Sequence, residues 1–324
     1  MSFQEIKPVE KADFYLDVAF RRAKELAVVY RPKIKIETML QKSRDMELYK
    51  IEIVKNNLVS HLNKIIKNFP SIKDLDSFYL ELVKCTIDID YLRQSLGALD
   101  WAKKKIYDFH KIYNNKIRNS TDIKTINRHR REFYGRISSV LKQISKNLSY
   151  LEESRKIMKE YPVIKTSLKT IVITGFPNVG KTTLLYKLTG SKPDIQNYPF
   201  TTKGINIAYL KRNDERIQLL DTPGTLNRFE RMNNLEKQAY LAIKFLASSI
   251  IYVFDLSESY ALEQQIALYN NLKGFNKEII VFLSKIDLTK DKELVQRFVR
   301  EYSAIIDTEE LKEKLKNIFL LQDG

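Results

Sequence analysis

The stretch "KTIVITGFPNVGKTTLLYKLTG", residues 169–190, decides the fold of the second half of the chain. It contains Gly-x4-Gly-Lys-Thr, from Gly175 to Thr182, after a β-branched apolar run and before a helical pattern that ends at Gly190. A glycine-rich turn between a strand and a helix lets backbone N–H groups and the helix N-terminus surround a phosphate. The stretch therefore predicts a phosphate-binding P-loop, but the motif alone does not distinguish ATP from GTP.

Each residue type in this loop has an expected role. Lys181 is expected to neutralise the β- and γ-phosphates, and Thr182 is expected to bind Mg²⁺. The predicted nucleotide contacts in the loop are Gly175, Asn178, Val179, Gly180, Lys181, Thr182 and Thr183.

The chain after the P-loop alternates between apolar runs and helical patterns. The runs "INIAYLK", "RIQLLD", "SIIYVFDL" and "EIIVFLSK" are separated mostly by helical segments such as "EKQAYLAIKFLA". This alternation predicts an α/β domain with a mostly parallel sheet. We place it at 166–324, after a linker that covers roughly 160–169.

Three later motifs bear on which nucleotide binds. "DTPG" follows the run "RIQLL", so Asp221 is expected to hold Mg²⁺ through water, and the Gly224 N–H is expected to sense the γ-phosphate. "SKID", from Ser284 to Asp287, ends the predicted strand "EIIVFL". Its Asp287 could accept hydrogen bonds from guanine N1–H and the 2-amino group, which adenine does not offer at those positions. Lys285 is expected to lie along the base.

A third, weaker motif is "SAI", which comprises Ser303, Ala304 and Ile305. It could offer a backbone N–H to the guanine oxygen, or it could be an ordinary surface loop.

Residues 10–160 show helical periodicity almost throughout. The apolar stripes predict helices over 36–67, 74–118 (with a possible kink at Gly97) and 123–160, the last capped by Ser120 or Thr121. Long helices of this kind must bury their stripes against each other, which predicts an antiparallel helical bundle over 1–165.

Positive charge is concentrated in this helical half. Residues 1–168 contain 34 Lys and Arg against 21 Asp and Glu, and residues 101–150 alone contain 13 against 3. Such a concentration favours a polyanionic partner, although a solvated basic face with tyrosines in the core is the plainer alternative. Tyr107, Tyr113 and Tyr134 are interleaved with the basic residues and could stack on unpaired bases. The candidate RNA contacts are Lys103, Lys104, Lys105, Lys111, Lys116, Arg118, Arg128, Arg130, Arg131 and Arg136.

The composition indicates a soluble cytoplasmic protein, and we expect it to be a monomer. The single cysteine excludes an intramolecular disulfide, and the N-terminal "MSFQEIKPVEKADF" has no apolar run of a signal peptide. The longest apolar stretch is far shorter than the ~20 residues that span a bilayer, so no membrane partner is expected.

The motifs "GFPNVGKTT", "YPFTTKG" (198–204), "DTPG" and "DLSES" (255–259) resemble those of the Obg-type GTPases. Among these, the chain is similar to the nucleolar GTP-binding (Nog) family in its shorter archaeal form. The match covers 169–324, and the basic helical region before it agrees in position and length. The resemblance implies GTP and GDP as ligands, slow hydrolysis, and a role with large-subunit rRNA and the pre-ribosomal particle.

The resemblance also implies further site residues and one departure. "FTT" would be the switch element, so that Phe200 and Thr201 contact the nucleotide and Thr202 binds Mg²⁺, although the sequence alone does not choose between the two threonines as the ligand. The base motif of the family usually begins with Asn, whereas this chain has Ser284. A hydroxyl cannot make the paired bonds of a carboxamide, so we expect nucleotide binding to be weaker by about 1 kcal/mol.

The glutamine that orients the attacking water in Ras-like GTPases is missing after Gly224, where Thr225 follows and the next glutamine is Gln238. The resemblance implies that this absence is typical of the group. In several related GTPases an asparagine at the position of Asn178 coordinates K⁺, so Asn178 either does the same or only shapes the loop. A group supplied by the ribosome, or Arg228 and Arg231 in the switch, are the other candidates.

The predicted function is therefore a slow GTPase switch in large-subunit assembly, with moving segments at 190–204 and 224–235. The predicted catalytic groups are Lys181, Thr202, Gly224 and Asn178. Two alternatives stay open at this stage: a GTP-dependent switch whose bundle binds a protein, and a generic P-loop ATPase.

Overall fold

The computed structural model describes residues 3–34, 38–190, 194–196, 205–212, 215–222, 234–257, 261–289 and 291–318. The chain divides into two compact units. One comprises Met1–Ser71 and Ile87–Lys159, and the other comprises Ile72–Thr86 and Glu160–Gly324. The second unit thus includes a helical segment from well before residue 166, and the boundary predicted at 165/166 stays a prediction.

The helices that precede the first strand in the chain are α1 (Ala12–Tyr30), α2 (Met39–Asn68), α3 (Ser77–Thr86), α4 (Ile89–Arg118), α5 (Ile123–Gln143) and α6 (Ser145–Lys159). Of these, α3 lies in the second unit and the others form the first. In the first unit α2, α4 and α5 pack against one another, α1 packs on α2, and α6 packs on α4.

Aspartate caps divide the helices differently from the sequence prediction. The single helix predicted over 74–118 is wrong, because the chain breaks between Thr86 and Ile89. There the Asp88 side chain accepts hydrogen bonds from the first backbone N–H groups of α4 at 3.0 Å. The predicted cap at Ser120 or Thr121 is also wrong, since Asp122 accepts from the backbone N–H of Thr125 at 2.8 Å. The predicted helix over 123–160 is interrupted at Ile144.

The apolar stripes predicted for the bundle are confirmed as its core. Along α5 and α6 the stripe runs from Phe133 to Leu151, and its members are at most 3% exposed. Along α2 it runs from Ile51 to Ile65, with members at most 6% exposed. Burying each such side chain contributes roughly 1.5–3 kcal/mol, so tertiary packing stabilises these helices more than local propensity does.

The second unit contains a mixed sheet. Its strands are β1 (Thr170–Thr174), β2 (Asp194–Gln196), β3 (Ile205–Arg212), β4 (Glu215–Asp221), β5 (Ala247–Asp255) and β6 (Glu278–Ser284). The remaining helices are α7 (Lys181–Thr189), α8 (Asn234–Phe245), α9 (Leu262–Lys273), α10 (Lys292–Tyr302) and α11 (Thr308–Ile318).

The strand order is β2-β3-β4-β1-β5-β6. Strands β4, β1, β5 and β6 are parallel, β3 pairs antiparallel with β4, and β2 pairs antiparallel with β3. All five residues of β1 are buried, as is typical of a central parallel strand covered on both faces. This arrangement confirms the predicted fold class, a helical bundle followed by an α/β domain with a mostly parallel sheet. Among the described helices, none has the length and apolar content that crossing a bilayer requires.

Parallel strands present their carboxyl ends at one edge of a sheet, where ligands bind in open α/β folds. At this edge β1 leads into the P-loop, β4 ends at Asp221, β5 ends at Asp255, and β6 ends at Ser284. The P-loop, Asp221, Asp255 and the start of "SKID" therefore meet at this edge.

Candidate nucleotide site and basic surface

The P-loop connects β1 to α7 through backbone conformations that restrict its sequence. Gly175 has a φ of 147°, and a Cβ at this position would lie 2.5 Å from the backbone oxygen of Val253. Gly180, which precedes α7, has a φ of 95°, and Asn178 has a φ of 61°. Positive φ angles favour glycine and, among the other residues, asparagine. Asn178 is exposed, and its residue type suits the left-handed turn that shapes the loop.

Two residues of the loop, one apolar and one charged, are buried and hold it in place. Val179 is fully buried and belongs to the core beneath the sheet edge. Lys181 is 8% exposed, and its Nζ donates to the backbone oxygen of Phe176 at 2.7 Å. The ammonium therefore lies against the loop that would surround a phosphate. Thr182 and Thr183, on the first turn of α7, are exposed.

A hydroxyl and a carboxylate lie side by side at the ends of the loop and of β4. Thr182 Oγ1 donates to Asp221 Oδ2 at 2.5 Å, and Asn206 Nδ2 donates to the same oxygen at 2.8 Å. Burial raises the pKa of the Asp221 carboxyl, and the two hydrogen bonds oppose that rise. Mg²⁺ prefers hard oxygen ligands of this kind, so the two side chains predicted to bind it are suitable in chemistry and placement.

On the base side of the site, Ser284 connects the end of β6 to two neighbouring segments. Its Oγ lies 2.6 Å from the backbone oxygen of Val179 and 2.9 Å from that of Phe254. The hydroxyl can donate its single proton to either carbonyl. Ser284 thus ties the end of β6 both to the P-loop and to β5, a role that the sequence analysis did not foresee.

Lys285, the next residue, is held by a buried carboxylate. Its Nζ lies 2.7 Å from Asp255 Oδ2, and the Asp255 side chain is fully buried. Burial opposes ionisation of Asp255, but hydrogen bonds from Lys285 and Ser257 outweigh it and lower the pKa of the carboxyl below its usual value.

Asp287 and the "SAI" segment lie beside the end of β6. Asp287 is exposed, in a turn closed by a hydrogen bond from Leu288 N to Lys285 O at 3.0 Å. Ile305 N donates to Val281 O, and Leu283 N donates to Ile305 O, each at 2.9 Å. "SAI" is therefore attached to β6 next to the base motif, with Ser303 exposed and with Ala304 and Ile305 buried.

Several predicted site residues lie outside the described residues. They are Phe200, Thr201, Thr202 and Gly224, together with Thr225, Arg228 and Arg231 and most of the two predicted switch segments.

Sequence reasoning missed Asn206 and Asp255. Asp255 is the first residue of "DLSES", a motif that by itself indicates no contact for this carboxylate. No sequence signal pointed to Asn206, because its contact depends on the pairing of β3 with β4.

The predicted RNA contacts differ in how far they are exposed, and two of the exposed side chains are also paired, Lys104 with Asp100 at 3.1 Å and Arg128 with Glu132 at 3.8 Å. Arg130 lies 3.3 Å from Glu47, whose side chain is 7% exposed, and Lys103 lies 2.9 Å from Asp100 with its own side chain only 17% exposed. These two cations are largely buried and neutralise carboxylates of the bundle. Lys105 is half-buried and lies 3.7 Å from Asp108. The exposed members of the set are Lys104, Lys111, Lys116, Arg118, Arg128, Arg131 and Arg136.

The aromatic residues also divide. Tyr113 is 6% exposed in the core, and the ring of Tyr134 stacks on Phe20 at 4.6 Å, so neither is available for stacking on a base. Tyr107 is 50% exposed, and Trp101, which the sequence analysis did not single out, is 39% exposed on the same helix.

The P-loop, the Thr182–Asp221 pair and the "SKID" loop at one edge of this sheet define a guanine-nucleotide-binding P-loop GTP hydrolase domain. Two family models match the chain: the NOG1 N-terminal helical domain matches residues 3–165, and a 50S ribosome-binding GTPase matches residues 170–285. The chain belongs to the Nog family of nucleolar GTP-binding proteins.

Two relatives illustrate the range of similarity. An uncharacterized protein of Methanocaldococcus jannaschii, MJ1408, is 37% identical over 90% of this chain and 82% of its own length. Nucleolar GTP-binding protein 1 of Saccharomyces cerevisiae is 30% identical over 91% of this chain. The chain spans about half the length of such nucleolar relatives, 46% in the yeast case.

Among solved structures, the G domain of the T. maritima FeoB iron transporter is 28% identical and covers 46% of this chain and 98% of its own, with a TM-score of 0.38. A TM-score this low carries no argument about function.

Proposed function

We propose that this protein is a slow GTPase that acts as a molecular switch in assembly of the large ribosomal subunit, with the bundle bound to large-subunit rRNA. The observation that carries the proposal is the presence, in one chain, of a GTPase site and a helical unit with an exposed basic face. The names of the matching models and relatives support the ribosomal part of the proposal.

In the proposed reaction the chain mainly positions and neutralises charge, which is most of what phosphoryl transfer requires. Backbone N–H groups of the P-loop and the N-terminus of α7 would hold the phosphates, and Lys181 would neutralise the β- and γ-phosphates. Thr182 and Asp221, joined by Thr202, would hold Mg²⁺, which would offset the charge on the phosphate oxygens. The Gly224 N–H would sense the γ-phosphate, so GTP and GDP would favour different switch conformations.

Asn178 is our candidate for K⁺ coordination in place of the missing glutamine. We expect faster GTP turnover in KCl than in NaCl, and we expect Asn178→Ala to remove the difference. Asn178→Gly also removes the carboxamide, but it keeps the loop conformation, because a φ of 61° suits asparagine and glycine better than alanine. It is therefore the matched control for strain in the loop. Equal wild-type turnover in the two salts would contradict the K⁺ role and leave Asn178 as a residue that shapes the loop.

The basic face of α4 and α5 supports RNA as the ligand of the bundle. Lys104 and Lys111 are exposed on α4 beside Trp101 and Tyr107, and Arg131 is exposed on α5. Cationic side chains contact phosphates, and exposed aromatic rings can stack on unpaired bases. Binding should therefore fall steeply with salt and should favour single-stranded segments over a duplex.

The test compares two charge-reversal variants of the whole protein. Lys104/Lys111/Arg131→Glu changes the proposed face, and Arg21/Arg22/Lys24→Glu makes the same change of charge on exposed positions of α1. In titrations of large-subunit rRNA fragments, the first variant should lose affinity and flatten the salt dependence by about three in the log–log slope, about one for each cation. The second should bind nearly as the wild type does.

Equal losses in both variants would mean that only net charge matters, which contradicts a specific face. Wild-type affinity in both would contradict RNA binding by this surface and favour the alternative, a bundle that binds a protein. Arg130 is left unchanged, because a glutamate there would lie beside the buried Glu47 and would destabilise the bundle itself.

We also propose that the protein works as a cytoplasmic monomer. Light scattering after size exclusion should give a mass near 38.1 kDa, with and without GDP. A mass of twice this value would contradict the monomer.

A further inference from the structure

The carboxylate of Asp255, at the end of β5, is the most enclosed charge near the base side of the nucleotide site. Its side chain is fully buried, and three donors surround it: Lys285 Nζ at 2.7 Å, Ser257 Oγ at 2.6 Å and the Ser257 backbone N–H at 2.9 Å. A buried carboxylate is strongly destabilising unless it is paired and hydrogen-bonded. The pairing with Lys285 therefore fixes the position of both groups.

The backbone of Asp255 is held as firmly as its side chain. Gln265, on α9 and fully buried, accepts from the Asp255 N–H at 3.0 Å and donates to the Asp255 carbonyl at 2.8 Å. The hydroxyl of Tyr252 in turn donates to the Gln265 carbonyl at 2.8 Å. The carboxylate thus lies on a rigid support formed by β5 and the first turns of α9.

Lys285 is fixed at both of its ends. Its backbone has a φ of 50°, in the left-handed region, directly after β6 ends at Ser284. Asp255 is paired with Ser284 in the β5–β6 register, so the lysine side chain crosses to the neighbouring strand to reach the carboxylate. A free lysine loses much rotamer entropy when it is ordered by a ligand, whereas this lysine is ordered in advance.

We propose that Asp255 is a positioning residue for recognition of the guanine base, acting through Lys285. The inference rests on the proposed GTP function and adds to it the group that holds the base-side lysine in place. Asp255 does not contact the nucleotide; it fixes the path of the Lys285 side chain beside Asp287, so that the base meets a preformed surface.

The test is a double-mutant cycle on the whole protein, read by fluorescent GDP binding and release. Asp255→Asn keeps the shape and removes the charge, and Lys285→Met removes the ammonium while keeping an unbranched side chain. Each single change should weaken GDP binding about tenfold, the scale of one hydrogen bond to a charged group, mainly through faster release. In the Lys285→Met background, Asp255→Asn should cause no further loss.

Two measurements separate positioning from a general effect on the fold. Inorganic pyrophosphate, which has no base, should compete with GDP for the Asp255→Asn variant with the wild-type inhibition constant. Ser257→Ala, which removes one donor to Asp255 without altering Lys285, should weaken GDP binding a few-fold, and only when Lys285 is present.

Additive losses in the cycle, or an equal loss of pyrophosphate affinity, would overturn the inference while leaving the GTPase assignment intact. Wild-type protein that failed to bind GDP at all would instead overturn the proposed function on which the inference rests.

Discussion

Ser284→Ala is the substitution that most directly tests how this site is assembled. The Ser284 hydroxyl lies 2.6 Å from the Val179 oxygen and 2.9 Å from the Phe254 oxygen, and it has one proton to donate between them. Removing the hydroxyl removes one neutral hydrogen bond, which the two carbonyls accept in turn. The expected cost is about 1 kcal/mol of free energy. Because one of these carbonyls belongs to the P-loop, the loss should appear in nucleotide affinity, by about fivefold.

The assay is titration of fluorescent GDP at fixed Mg²⁺, with urea unfolding measured in parallel. Ser284→Thr is the matched control, since it keeps the hydroxyl and should bind GDP within about twofold of wild type on the same free-energy scale. Ser284→Asn tests the separate expectation from the sequence that a carboxamide binds nucleotide more tightly. If Ser284→Ala binds GDP as tightly as the wild type, the hydroxyl does not hold the P-loop and the reasoning fails.

Three further predictions follow from the geometry. Gly175→Ala should abolish GDP binding, because the new Cβ would lie 2.5 Å from a backbone oxygen. Gly135→Ala is the contrasting change, since its Cβ would have no neighbour within 4 Å, and it should raise the unfolding free energy by up to about 1 kcal/mol. Arg130→Ala should lower the unfolding free energy by about 2 kcal/mol, because it leaves a buried carboxylate without one partner, while Arg131→Ala should leave stability unchanged and weaken RNA binding. Burial, followed by a nearby lysine, lowers the pKa of His110 below its ordinary 6.5 against the opposing effect of Glu52. The unfolded state therefore binds the proton first, so thermal stability should fall as the pH is lowered through 6.5 towards the depressed pKa of the folded state, and His110→Asn should reduce that fall.

Features encoded by short stretches of chain were predictable from the sequence. The P-loop follows from Gly175 to Thr182, because the strand, the turn and the helix start are adjacent in the chain. The buried stripe from Phe133 to Leu151 follows from its spacing alone. Even the end of α7 at Gly190, in the left-handed conformation, follows from the usual helix C-cap.

The helix starts at Asp88 and Asp122 were also encoded locally, yet the sequence analysis missed them. Both are aspartates, which are among the preferred N-cap residues. At the first break, the prediction of one helix over 74–118 takes no account of the cap that Asp88 offers. At the second break, neighbouring Ser120 and Thr121 were equally plausible caps, and only the hydrogen bond to Thr125 identifies the aspartate.

Contacts between distant segments could not be predicted from one sequence. Arg130 is 83 residues from Glu47, and its pairing depends on how α5 packs on α2. A count of positive charges gives the sign of the electrostatic field around the bundle. It does not distinguish the cations that face solvent from those that satisfy buried carboxylates, and the difference decides which variants can test RNA binding.

The base motif shows why a departure from a family pattern has to be judged by its contacts. Asparagine at the first position would offer two donors and an acceptor, whereas Ser284 offers one donor, yet this donor reaches both the P-loop and β5. The following Lys285 reaches Asp255 on the same strand β5. Two adjacent residues thus connect the phosphate loop, β5 and the base loop, although Ser284 has fewer hydrogen-bonding groups than an asparagine. We therefore expect weaker binding with retained preference for guanine, because Asp287 takes part in neither connection.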